Sequence, residues 1–74
     1  MPTIIYSKEH KFIVEKLKEA RLEAGFGQEK VAELLGKTQS HISKIEAGQR
    51  RLDIVQIKEF AKIYKKKISF FIKK

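Results

Sequence analysis

A chain of 74 residues with 42% apolar side chains suffices for one small domain, hiding roughly 60% of its unfolded surface, and leaves no room for a separate ligand-sensing domain. It contains no cysteine, which excludes disulfide staples, thiolate metal sites and thiol catalysis. The net charge of +8 is segregated: residues 1–36 carry six bases and six acids, whereas residues 37–74 carry eleven bases against Glu46, Asp53 and Glu59, so one half of the chain is suited to a polyanion.

Residues 1–7 hold the only proline and then Ile4, Ile5 and Tyr6, an N-terminal arm too short to fold alone. From Lys8 to Ala24 the residues Phe12, Ile13, Leu17, Ala20 and Ala24 recur at helical spacing, with Ser7 placed to cap the start and Gly25 to end the helix. Gly27 as N-cap puts Phe26 and Val31 at the two positions of a hydrophobic staple, which predicts a second helix over about residues 28–35, stopped by Gly36. Thr38 caps a third helix over about 39–47, with Ile42 and Ile45 on its buried side, ending before Gly48.

A basic loop, Gln49-Arg50-Arg51, leads to Asp53, which with Gln56 forms a capping box for a fourth helix whose apolar side is Ile54, Ile57, Phe60, Ala61 and Tyr64. Lys65-Lys66-Lys67 follows, either a phosphate clamp or a solvated helix end. Ser69 then stands as a cap for one final turn through Phe70, Phe71 and Ile72. The expected fold is all-α, four to five helices over residues 8–72, without a strand.

The informative window is Gln28 to Gly48. Small Ala32 lets two helix backbones approach, Gly36 supplies the positive φ of a sharp turn, and Val31, Leu35, Ile42 and Ile45 pin the helices together. At about 100° per residue, Gln39, Ser40, Ser43 and Lys44 fall on the side of the third helix opposite the isoleucines. Amide, hydroxyl and ammonium groups there match base edges in a major groove. His41, at the edge between the two sides, is either a phosphate contact or a solvated, half-packed side chain, and Lys37 in the turn is a candidate phosphate contact.

The stretch GFGQEKVAELLGKTQSHISKIEAGQRRLD resembles the helix-turn-helix of the phage Cro and repressor (Xre-like) family, and with the flanking helices the resemblance covers about residues 8–72. It implies that Gln28 contacts a DNA phosphate and braces the recognition helix. Gln39, Ser40 and Lys44, with Ser43 beside them, fall at base-reading positions, and Arg21 and Glu46 at those of a structural salt bridge. Arg50 and Arg51 resemble the segment that grips the backbone, with Thr38 and Gln49 included in the same phosphate-binding set. Gly27 departs from the usual Ser or Thr, and Lys37 from a small apolar residue.

The function expected is sequence-specific double-stranded DNA binding by a transcription regulator, as a repressor dimer on an inverted repeat. The alternative is an antitoxin-type interaction module whose DNA binding serves autoregulation. No nucleophile–base pair, carboxylate pair, metal cluster or phosphate-cradling loop stands out, so neither an enzyme nor a cofactor is expected. His10 and His41 lack ligand spacing for a metal. With apolar runs of only a few residues and no signal-peptide pattern, a cytoplasmic protein is expected.

Overall fold

The structure is a computed structural model that describes residues 8–72; the arm at 1–7 and the Ser7 cap assigned there lie outside the described residues. Four helices follow in order: α1 (Lys8–Ala24), α2 (Gln28–Leu35), α3 (Gln39–Glu46) and α4 (Ile54–Tyr64), closed by a 3-10 turn at Ile68–Phe70. No residue from 8 to 72 is in a strand.

The helix starts follow local chemistry. Thr38 accepts a hydrogen bond from the His41 backbone N–H at 3.1 Å. Asp53 and Gln56 form a reciprocal capping box, with bonds of 2.8 and 3.0 Å. Gly27 caps α2 in extended backbone without a side-chain bond, so Phe26, half-buried against the core beside it, anchors the entry instead.

The helix ends share one device. Lys37 N–H reaches the Ala32 carbonyl at 2.8 Å across Gly36, which sits at φ 68°. This is the long backward bond of a Schellman ending, and it needs a left-handed residue at the turn. The same bond runs from Phe26 to Arg21, from Gln49 to Lys44 and from Lys66 to Ala61. At the last of these the left-handed residue is Lys65, at φ 58°.

The core is Leu17, Ala20, Val31, Ala32, Ile42, Ile45, Ile57, Phe60, Ala61, Tyr64 and Phe71. Full burial of each large aliphatic or aromatic member stabilises the fold by about 1.5–3 kcal/mol before chain entropy is counted. Ala32 is buried where α2 meets α3. Phe71 closes the base with no exposed surface, its ring edge-on to Phe70 at 5.1 Å. Tyr64 stacks on Phe60 at 5.9 Å and reaches Phe26 at 6.3 Å.

Some expectations are corrected. The buried stripe of α1 is His10, Val14, Leu17, Ala20 and Arg21, whereas Phe12 and Ile13 are half-buried and Ala24 is exposed beside the terminal turn. Helix α3 ends at Glu46, one residue before the expected 47, because Ala47 forms the cap. Ile54 is exposed at the first turn of α4 rather than buried with Ile57. Ser69 lies inside the last turn, and Lys67 is its cap residue.

Candidate nucleic-acid interface

Helices α2 and α3 are joined by only Gly36, Lys37 and Thr38, and the left-handed Gly36 sends the chain off sharply. Ile42 and Ile45 point inward with essentially no exposure, which fixes the rotation of α3 about its axis. Gln39, Ser40, Ser43 and Lys44 are thereby exposed. They form a short polar face on a helix held by apolar anchors.

A chain of side-chain hydrogen bonds ties that face to the core. Arg21 of α1 donates from Nε to Glu46 Oε2 at 2.7 Å and from Nη2 to Glu46 Oε1 at 3.0 Å, a two-point ion pair between α1 and α3. Its third contact, Nη1 to the Phe26 carbonyl at 2.9 Å, fastens the entry to α2. Gln28 Nε2 donates to Glu46 Oε1 at 3.1 Å, and Gln28 Oε1 accepts from Gln39 Nε2 at 3.0 Å. The first residue of α2 and the first residue of α3 are thus bonded to one another.

The hydrogen bond and charge of Glu46 hold the Arg21 guanidinium pKa above its ordinary value, against the opposing effect of burial. The neighbouring Tyr64 hydroxyl is buried without a hydrogen-bond partner. Burial first, then the Glu46 charge, raises its pKa, while Arg21 opposes the shift. It stays a neutral phenol at physiological pH.

The charges that act on His41, on the partly exposed side of α3, are positive. The pKa of half-buried His41 lies below the ordinary histidine value, through burial first and then through the charges of Arg50, Lys37 and Lys44. Lys37, Lys44, Gln49, Arg50 and Arg51 are exposed, as is Thr38. Cations from the α2–α3 turn, from α3 and from the following loop therefore converge on His41. An anion would relieve their mutual repulsion.

Lys65-Lys66-Lys67 has a different setting. Lys66 donates to Glu23 of α1 at 2.6 Å, and its ammonium lies 4.8 Å from the Phe70 ring centroid, whereas Lys16 lies 5.0 Å from that centroid. The middle lysine thus locks the closing turn to α1.

Among protein families, residues 17–71 match HTH_3, a helix-turn-helix family. The chain belongs to this family, the Cro/C1-type, Xre-like helix-turn-helix proteins. In general terms it is a DNA-binding transcription regulator, and the family is not typically enzymatic. No curated protein and no solved structure matched the chain. Among the described residues no helix is long and apolar enough to cross a membrane.

The Gln28–Gln39 and Gln28–Glu46 bonds were not foreseen from spacing. They need three residues separated by 11 and 18 positions to converge. The signal available in advance was that Gln28 and Gln39 each open a helix on either side of a tight turn.

Proposed function

We propose that the protein is a sequence-specific double-stranded DNA-binding repressor that acts as a homodimer on an inverted repeat. The observation that carries this reading is the exposed polar face of α3, held in one rotation by Ile42 and Ile45 and braced through Gln39, Gln28 and Glu46. Base recognition needs side chains placed in advance, because a loose amide loses entropy when it binds. The surrounding cations supply the sequence-independent attraction.

In this reading α3 enters the major groove. Ser40, Ser43 and Lys44 meet base edges, and Gln39 presents its amide oxygen while its N–H stays with Gln28. Gln28, Lys37, Thr38, His41, Gln49, Arg50 and Arg51 contact phosphates on either side. One domain reads only a few base pairs, so specificity comes from two copies on half-sites about 34 Å apart, and a bound dimer represses by excluding polymerase.

Selection of bound molecules from random duplex DNA tests this directly. The expected result is one enriched inverted repeat with half-sites a helical turn apart. A pool that stays random would exclude sequence-specific binding.

A further inference from the structure

Between Gln28 and Gln39 alone, the direction of the hydrogen bond is undetermined. A side-chain amide carries a carbonyl on one side and an NH2 group on the other, so turning both amides over exchanges donor and acceptor and keeps the bond. In the structure Gln39 Nε2 donates to Gln28 Oε1 at 3.0 Å. The reason for this direction lies one step further in.

Gln28 Nε2 also donates to Glu46 Oε1 at 3.1 Å. Glu46 is paired with Arg21 through both carboxylate oxygens, and its side chain is only 6% exposed. An ionised carboxylate offers acceptors alone. A reversed Gln28 would set its carbonyl against that carboxylate, two acceptors 3.1 Å apart where little solvent screens them. The Gln28 NH2 group therefore faces Glu46, its carbonyl faces Gln39, and Gln39 gives up an N–H to it. The direction passes from the ion pair to the exposed face of α3 over two hydrogen bonds.

We propose that Glu46 is a positioning residue for base specificity: without touching DNA, it fixes which way the Gln39 amide faces and hence which purine that amide accepts. The proposal rests on the DNA-binding reading above, and adds what sets the amide and which base it refuses. Gln39 is left with its carbonyl and one N–H for the groove. Adenine presents a donor at N6 beside the N7 acceptor, and both are matched; guanine presents acceptors at N7 and O6, and O6 would meet the carbonyl. In the reversed direction the carbonyl is engaged by Gln28 and the NH2 group turns outward, which suits guanine and opposes the adenine N6 donor.

The test reads base preference one position at a time, since a helix that was merely loosened would relax every position. Duplex selection is run on the wild type, on Gln39→Ala to mark the position that Gln39 reads, and on Arg21→Met/Glu46→Leu, which removes the carboxylate and strands no charge. The wild type should favour adenine over guanine at the marked position by about tenfold or more. In the double variant that ratio should collapse toward equality while preferences at the other positions stay. Gln28→Met keeps the ion pair and should give the same local change on uniformly weaker binding, so the result does not hang on the folding of the double variant. Guanine at the marked position in the wild type, adenine retained in either variant, or equal relaxation everywhere would overturn the proposal.

A second measurement needs no DNA. Neutron diffraction from crystals of the deuterated free protein locates the amide deuterons of Gln28 and Gln39. They should point from Gln28 to Glu46 and from Gln39 to Gln28, and a reversed or mixed direction would overturn the proposal. Random pools beside the expected direction would fail the DNA-binding reading alone, whereas an enriched site whose adenine survives both variants would fail this proposal alone.

Discussion

Gln28 and Gln39, eleven residues apart, are joined by a hydrogen bond of 3.0 Å at the junction of the two helices of the turn. Gln28 simultaneously donates to Glu46, which is held in turn by Arg21. The polar face of α3 is therefore connected to the α1–α3 packing by a relay of side chains, and one carboxylate, that of Glu46, serves both the ion pair and the relay.

That sharing can be separated by mutation. The Arg21 and Glu46 side chains are only 9% and 6% exposed, and removal of one member of such a pair strands a charge, at a cost of about 3–5 kcal/mol. Glu46→Ala or Arg21→Ala should lower the unfolding free energy, measured by denaturant titration, by a large part of the 5–15 kcal/mol typical of a whole domain. The double variant Arg21→Met/Glu46→Leu should regain most of that loss, because no charge is left buried. It should nevertheless bind the selected duplex more weakly, since Gln28 no longer has its acceptor. Full recovery of DNA affinity in the double variant would show that the relay has no part in recognition.

The two cationic groups around α3 should behave differently toward salt. Lys44 is exposed on the face opposite Ile42 and Ile45, and in the proposed complex it meets bases. Lys44→Ala should reduce discrimination between the selected site and a scrambled duplex by about 1–3 kcal/mol. Arg51→Ala should weaken both duplexes alike and reduce the slope of log K against log salt by about one. Binding isotherms at four salt concentrations decide the matter. An unchanged preference in Lys44→Ala would remove it from the base-reading set.

The sequence made the four helices legible because their ends are set by local rules: glycine at three left-handed positions, Thr38 and Asp53 as caps, and Gly27 with Phe26 at the entry to α2. What escaped it depends on tertiary placement. Ile54 has the right type and near-right spacing for the apolar side of α4, yet on the first turn it points past the core. Lys66 reads as one of three equivalent lysines and is distinguished only because the closing turn brings it to Glu23, 43 residues away. His10 is polar at the start of a helix and still lies inside, a position governed by the packing of the completed domain.

Acidification should strengthen DNA binding through His41. In the free protein its pKa lies below the ordinary value near 6.5, so the ring is neutral at pH 7. A phosphate placed against the cluster offsets Arg50, Lys37 and Lys44 and raises the pKa in the complex. The bound state then holds more protons than the free state, so affinity rises as pH falls from the bound-state value toward the free-state value, and is level above both. His41→Gln should flatten this part of the profile, measured as Kd between about pH 5.5 and 8. The folded state gives the opposite sign: depressed values for His10 and His41 make stability fall as pH drops below about 6.5. Protein unfolded at the lower end would mimic weaker binding, so helicity is followed in parallel. A slope that survives His41→Gln would assign the proton to another group.

Gly36 and Lys65 adopt nearly the same left-handed backbone, φ 68° and 58°, at the ends of α2 and α4, but only Gly36 does so without a steric penalty. A Cβ built on Gly36 meets nothing within 4 Å, so Gly36→Ala carries no clash and its cost is the conformation alone, about 1 kcal/mol. At Lys65 the penalty is already present in the native sequence. Lys65→Gly should therefore stabilise, by somewhat less than the same amount because glycine also gains freedom in the unfolded chain. Lys65→Ala serves as control: it removes the same charge and keeps the strained φ, so the difference between the glycine and alanine variants reports the backbone alone. For a domain of this size about 1 kcal/mol corresponds to roughly 4–8 °C in Tm, well within reach of a thermal melt. If Lys65→Gly melts no higher than Lys65→Ala, the ending of α4 relaxes out of the left-handed geometry, and the Lys66–Ala61 backbone bond at 2.9 Å that depends on it must be absent in solution.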